Sequence, residues 1–289
     1  MYKEVVLAEY FAVVLICSAT VLVNVLIFRN KSILSIWKEC PPLCLFLISN
    51  AITAISGVPF AIQWICFVFN IIANAPENSL FLHAIGEVVS QTRRINLCAT
   101  AGLFTQRIFH LLCPLSSAQR EKTFDWFILI TVCALSAITS GGAVYTSFKY
   151  ADLTVKPAPE GCMSFNCIAT TSAASRLWTA YISIGLTVLA TVLGTITLCL
   201  LHKFRKRTES AIQKKENRFA QYVFYLRLIF ETFPKCIDSI LFATMRIDIG
   251  RYVGPYGMLG ASLECVLQTA TYYMQSRSQT KTVVSSISL

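Results

Sequence analysis

The sequence predicts an all-α membrane protein, folded as a bundle of seven transmembrane helices. Of the 289 residues, 55% are hydrophobic and only 14% are charged, and the mean hydropathy is +0.60. The apolar residues fall into seven long runs without strand-like alternation, and about 20 residues are enough for an α-helix to cross a hydrocarbon core of about 30 Å. Because lipid offers the backbone no partners, such runs must form helices. They are residues 8–28, 43–69, 80–112, 126–148, 177–201, 222–245 and 255–274.

The distribution of lysine and arginine orients this bundle, because basic loops are retained on the cytoplasmic side of a membrane. The loops after the first, third and fifth spans, with the short tail 277–289, hold 14 of these residues, whereas the N-terminus and the other loops hold 6. We therefore expect the N-terminus outside and the tail in the cytosol. The net charge of +10 then reflects topology and gives no reason to expect a nucleic-acid partner. No loop is long enough to fold alone, so residues 1–289 are expected to form a single domain.

The outer half of the third span carries three charges, Glu87, Arg93 and Arg94. Two adjacent arginines in a membrane segment need a carboxylate partner, from the protein or from a ligand. We therefore hypothesise that Arg94, with Arg93 and Glu87, contacts an anionic or strongly hydrogen-bonding small molecule. The alternative is a static ion pair of Arg94 with Glu87, Asp238 or Glu264.

The loop between the fourth and fifth spans contains Cys162 and Cys167. Most of the 12 cysteines lie within or at the ends of apolar spans, where they behave as small hydrophobic residues. These two face an exterior that permits a disulfide, although they can also stay free or pair elsewhere. No spacing of cysteine and histidine resembles a zinc site. We expect neither a metal nor a cofactor.

The sixth span carries a stripe of charges with alternating sign. Arg227, Glu231, Lys235 and Asp238 recur at intervals of four, four and three residues, so they share one helix face. Charges inside a bilayer cost several kcal/mol unless they pair or face water, so the stripe should face the bundle interior. Pro234 removes a backbone hydrogen bond and should kink the helix. We expect a moving part hinged at Pro234 and held to its neighbours by ion pairs of Glu231 and Lys235; a static salt-bridged seam is the alternative.

The cytoplasmic end of the third span resembles the Asp-Arg-Tyr segment of rhodopsin-like G-protein-coupled receptors. In that family an arginine ends the third helix and a Pro-Leu pair begins seven residues later, as Pro114-Leu115 follow Arg107 here. Gln106 and Ile108 replace the acidic and aromatic residues, so a local Asp-Arg lock cannot form. The resemblance implies that Arg107 caps the inactive bundle and faces the G protein after activation. A snorkelling anchor near a helix end is the alternative.

The stretch 222–238 resembles the sixth helix of nematode serpentine chemoreceptors, in particular the Srbc class, and the Pro-Glu-Gly-Cys sequence at 159–162 has similar features. The similarity spans the whole chain. It implies a rhodopsin-like chemosensory receptor in the plasma membrane of sensory neurons, in their cilia. Such a receptor binds a small-molecule odorant or pheromone and activates a heterotrimeric G protein. The basic loop with Arg205, Lys206 and Arg207 is expected to meet that G protein, anionic membrane lipid, or both.

Other classes fit the sequence less well. None of the common nucleophile, zinc-protease or nucleotide-binding motifs is present, so we do not expect an enzyme. A small-solute transporter would often show internal repeats with interrupted helices, and the two halves of the chain are not similar. An insect-type ligand-gated chemoreceptor channel would place its N-terminus inside, against the distribution of basic residues. These two classes are the alternatives to a receptor.

Overall fold

The computed structural model describes residues 2–114, 116–150, 157–158, 162–165, 168, 173–204, 211–245 and 255–287. Every regular element in these ranges is a helix, which confirms the all-α prediction. The elements are α1 (Tyr2–Asn30), α2 (Ile33–Glu39), α3 (Pro41–Val68), α4 (Pro76–Leu112), α5 (Ala118–Tyr150), α6 (Ala173–Lys203), α7 (Ala211–Arg227), a π-helical turn (Leu228–Thr232), α8 (Phe233–Met245) and α9 (Tyr256–Ile287).

Four helices in the described part of the chain are long and apolar enough to cross a membrane. They are Lys3–Asn30, Pro41–Val68, Ala118–Tyr145 and Tyr181–Lys203. Their outward faces are apolar: Leu15 and Leu22 on α1 are 71% and 65% exposed, and Ile130 and Ile138 on α5 are 65% and 71% exposed. A surface of this kind is stable against lipid rather than water. The structure therefore supports a membrane protein, and α4, α7–α8 and α9 carry the charges described below.

The helices begin and end differently from the apolar runs. Polar flanks extend most of them, and residues 277–287 of the expected tail continue α9. The short helix α2 lies in the first predicted loop, where Ser32 caps it by accepting a hydrogen bond of 3.2 Å from the Ser35 amide. Helices α3 and α4 start with proline in the first turn, where no amide donor is needed. Local capping thus determines where helices begin and end at positions that the hydropathy of the sequence does not reveal.

Helix α4 is the centre of the bundle. It packs against α3, α5, α6 and α7, while α1 packs against α3 and α9. One apolar cluster surrounds the stacked rings of Tyr10 and Trp64, and a second surrounds Phe46, Phe104 and Phe224. The polar groups of the candidate site are buried among these packed helices.

Candidate functional site

Arg107 lies in the last turns of α4 and is 4% exposed. Its Nη1 donates to Oε2 of Glu216 at 2.5 Å, across to α7. Its Nη2 lies 3.6 Å from Sγ of Cys40 and 3.5 Å from Oε1 of Gln106. Because Glu216 is 109 residues away in the sequence, the ion pair ties together two helices that are otherwise distant along the chain.

The identity of residue 106, a neutral glutamine, explains why Arg107 pairs with a residue on another helix. The Gln106 amide donates to Oδ1 of Asp125 on α5 at 2.7 Å, and its carbonyl oxygen accepts from the thiol of Cys40 at 3.0 Å. Burial raises the pKa of Cys40 to about 11, so this thiol is a neutral donor. An acidic residue at position 106 would compete for Arg107, whereas the neutral amide leaves it to Glu216.

Arg227 occupies a second polar centre, in the middle of the bundle. Its Nε donates to Oε1 of Glu264 on α9 at 2.7 Å, and its Nη2 donates to Oδ1 of Asn96 on α4 at 2.6 Å. The Arg227 and Glu264 side chains are 4% and 2% exposed. The prediction that the stripe on the sixth span faces inward therefore agrees with the structure at Arg227.

The hydrogen bonds around Arg227 continue into a closed network. Asn96 donates to Ser49 and Asn50 on α3 at 3.1 and 2.5 Å. Gln268 donates to Oε1 of Glu264 at 2.7 Å and accepts from Asn50 at 3.3 Å. We call these six residues the Arg227 network: Ser49, Asn50, Asn96, Arg227, Glu264 and Gln268. Nη1 of Arg227 has no hydrogen-bond partner among the described residues, but the remaining hydrogen bonds of the network stabilise one another in a low-dielectric interior.

Lys235 links α8 to α6. Its Nζ lies 2.6 Å from Oε1 of Glu231, 2.9 Å from Oγ of Ser183 and 2.8 Å from Oγ1 of Thr187. The three donors of the ammonium therefore have three acceptors. We expected Glu231 and Lys235 to form ion pairs with neighbouring helices, and this is corrected: they pair with each other, one helical turn apart, and hydroxyl groups provide the contact to α6. Asp238 lies partly exposed on α8, one turn further.

A π-helical turn separates α7 from α8 where Pro234 was expected to act as a hinge. The Phe233 amide donates to the carbonyl of Leu228, five residues back instead of four. Proline has no amide hydrogen with which to bond the carbonyl of Phe230. That carbonyl faces Gly260 on α9, where a Cβ atom would lie only 2.9 Å from its oxygen. Glycine at this position is what allows α9 to approach the interrupted segment.

Arg94 is buried and has no hydrogen-bond partner in the described part of the chain. It is 2% exposed, and its Nε, Nη1 and Nη2 atoms have no hydrogen bond anywhere in the described chain. Glu87 accepts from Gln91 at 3.1 Å instead, and Glu264 pairs with Arg227. The static ion pair that was the alternative for Arg94 is therefore not formed. Arg93, its neighbour, is partly exposed.

A loop segment packs over the end of the bundle that the N-terminal ends of α1 and α4 and the C-terminal end of α3 form. The Tyr10 hydroxyl donates to the carbonyl of Met163 at 3.1 Å, and Asn74 exchanges hydrogen bonds of 3.0 and 2.9 Å with the backbone of Ala158. Cys162 in this segment is buried and disulfide-bonded. Cys167, the expected partner, lies outside the described residues, as do Arg205, Lys206 and Arg207 of the basic loop.

Sequence reasoning missed Glu216 as the partner of Arg107, although a signal for it exists. Glu216 and Arg227 are 11 residues apart, which is close to three helical turns, so they share a face of α7. A charged face of α7 directed at α4 therefore extends from Arg227 to Glu216, near the N-terminal end of α7. Asp125, Ser183 and Thr187 had no such signal. In the described chain no three His, Cys, Asp or Glu side chains come together as a metal site.

No protein-family model matches the chain, and no curated protein is significantly similar to it. Function therefore has to be inferred from the geometry of Arg107, the Arg227 network and Arg94.

Proposed function

We propose that this protein is a seven-helix chemosensory G-protein-coupled receptor of the serpentine type. In this proposal α1, α3, α4, α5, α6, α7–α8 and α9 each cross the plasma membrane of a sensory neuron, with the N-terminus outside. The receptor binds a small-molecule odorant or pheromone and activates a heterotrimeric G protein. The observation that carries the proposal is the ion pair between Arg107 and Glu216, which holds α4 to α7 at the end of the bundle nearest the basic loops.

The two partners of this pair differ in burial, which suits a switch. Arg107 is 4% exposed, whereas the Glu216 side chain is 31% exposed. Glu216 can therefore gain water when α7 moves outward, while Arg107 is left without its partner and open to the cytosol. An exposed guanidinium at this position is what the resemblance to rhodopsin-like receptors requires for G-protein contact. In the state described here the pair is closed, so we assign that state as inactive.

The interrupted sixth span supplies the movement. Arg227 anchors α7 to α9 just before the π-helical turn, and Lys235 anchors α8 to α6 just after it. Between these anchors the backbone lacks the regular α-helical hydrogen bonding, because Pro234 follows. A bend at this turn changes the position of Glu216 while both anchors hold, and π-helical turns are often found at functional sites.

Arg94 is the best candidate for the ligand contact. A guanidinium buried in a bundle without an acceptor costs several kcal/mol, and a carboxylate or other anion would offset that cost. The planar fork of arginine binds a carboxylate through two parallel hydrogen bonds. We therefore assign the ligand as a small molecule with an anionic group. Arg94 binds that group, and Arg93 and Glu87 contact the edge of the ligand.

The test needs no ligand, because breaking the ion pair between Arg107 and Glu216 should by itself raise the basal activity of the receptor. The full-length chain is expressed with reporters for each G-protein class, and Glu216→Ala is expected to raise basal activation at least fivefold per receptor at the cell surface, whereas Arg107→Ala abolishes coupling. Glu39→Ala is the matched control, since Glu39 forms an exposed ion pair with Lys31 on the same predicted side. Equal basal activity in all variants, with every reporter, contradicts the proposal. A ligand-evoked current that persists without guanine nucleotide would favour the channel alternative.

A further inference from the structure

We infer that the predicted cytoplasmic ends of α6 and α7 form a binding groove for the headgroup of an anionic phospholipid. A cavity of about 1010 Å³ opens between these two helices. Its walls include Leu198 and His202 from α6, and Lys214, Arg218 and Tyr225 from α7. We call it the α6–α7 groove. Its lining residues include neither Arg94, nor any residue of the Arg227 network, nor any of the loop segment with Cys162 and Met163.

Along the α7 wall of the groove, the side chains change from charged at one end to aromatic at the other. Lys214, Arg218, Gln221 and Tyr225 follow one another at intervals of four, three and four residues, so they share one helix face. Glu216, the acidic residue between the two cations, points to Arg107 instead. The stripe therefore keeps its full positive charge at one end and becomes amphipathic toward the other.

The side chains of the α6 wall show the same change, from polar at one end to apolar at the other. His202 stands in its last turn and is exposed, while Leu198 and Cys199 lie about one turn deeper along the helix. Both walls thus present polar groups at one end of the groove and apolar groups at the other. Tyr225, at the apolar end, is 51% exposed, as aromatic residues at a membrane interface often are. This order of groups matches a phospholipid, with its phosphate at the cations and its acyl chains beside Leu198 and Tyr225.

The cations of the groove are available to a ligand. Lys214 and Arg218 are exposed, and neither forms a hydrogen bond or an ion pair within the described part of the chain. Among the described residues, no carboxylate lines the groove. Anionic lipids are concentrated in the cytoplasmic leaflet and attract basic groups at its surface. A soluble phosphate would gain no binding free energy from the apolar half of the groove, so we assign the occupant as a lipid. The inference does not rest on the proposed receptor function.

The test measures lipid binding by the purified full-length chain in detergent micelles doped with phosphatidylserine or with phosphatidylcholine. We expect phosphatidylserine to raise the Tm and to remain bound in native mass spectrometry, and phosphatidylcholine to do neither. Lys214→Gln combined with Arg218→Gln should weaken the affinity for phosphatidylserine about 30-fold, and each single change about fivefold. The single variants also guard against a folding defect in the double variant.

The matched control is Lys38→Gln with Lys122→Gln, which removes the same charge from exposed positions outside the groove. We expect this control to change the affinity less than threefold. Equal weakening in both double variants would mean diffuse attraction to an anionic surface and would overturn the site. Soluble glycerophosphoserine that binds as tightly as the lipid would overturn the assignment to a membrane source.

Discussion

Arg227 and Glu264 form an ion pair of 2.7 Å in the interior of the bundle, with both side chains at most 4% exposed. It joins α7 to α9 at the residue immediately before the π-helical turn. Asn96 and Gln268 satisfy further hydrogen-bonding groups of the pair. Movement on the two sides of this turn therefore has a fixed reference point.

The first prediction distinguishes the cost of one unpaired buried charge from the net contribution of the ion pair between Arg227 and Glu264. Removing one partner leaves the other as an uncompensated buried charge, so Arg227→Met or Glu264→Met alone should reduce the free energy of unfolding by about 3–5 kcal/mol. The double variant has no buried charge at this place, and we expect it to recover most of that loss. Thermal unfolding of the purified variants in one detergent measures this. A double variant less stable than either single variant would disprove the coupling.

The second prediction concerns the approach of α9 to the interrupted segment. In Gly260→Ala the new methyl group lies 2.9 Å from the backbone oxygen of Phe230, which cannot rotate away. We expect a loss of about 1–3 kcal/mol of stability from this overpacking. Gly257→Ala, on the same helix, meets nothing within 4 Å, so it should be neutral or slightly stabilising. Parallel thermal unfolding of the two variants compares them, and equal effects would mean that the close contact is unimportant.

The third prediction follows from the unpartnered guanidinium of Arg94. Arg94→Met removes a buried charge without breaking any hydrogen bond to a described residue, so the ligand-free protein should become more stable by about 1–4 kcal/mol. The same change should abolish responses to ligands that carry a carboxylate. Arg107→Met is the control with the opposite sign, because it breaks the ion pair that Arg107 forms with Glu216. Stability measured on purified protein and dose responses in cells test both parts; a destabilised Arg94→Met would show that this arginine has a partner in the resting protein.

The fourth prediction is a pH dependence at Cys40. Burial raises the pKa of this thiol from 9.0 to about 11. A group whose pKa is raised in the folded state stabilises the fold below its unfolded pKa, and that contribution is lost as the pH rises toward the folded pKa. Wild-type stability should therefore fall by roughly 2–3 kcal/mol more than that of Cys40→Ser between pH 8 and pH 11, a range set by about 1.4 kcal/mol per pKa unit. Thermal unfolding at several pH values gives the difference, and parallel curves for the two proteins would contradict it.

The local features of this fold could be predicted from the sequence. The length of the apolar runs predicted helices at the right places to within a few turns, because backbone hydrogen bonding in lipid leaves no other choice. The spacing of Arg227, Glu231 and Lys235 placed them on one face of a helix. The seven-span topology and the outer N-terminus stay predictions, since within the described residues four helices meet the length and hydropathy needed for a span. Helix α2 and the helical continuation at 277–287 were missed because capping and propensity, rather than hydropathy, set their limits.

The sequence by itself determined which charges lie within the apolar spans and therefore need a partner or water: Glu87, Arg93, Arg94, Arg107, Arg227, Glu231, Lys235, Asp238 and Glu264. Only the tertiary structure decided which of them are satisfied. An ion pair depends on the rotation and distance of two helices, and these follow from packing along their whole length. For this reason Glu216, 109 residues away, pairs with Arg107, while Glu87, on the same helix as Arg94, does not pair with it.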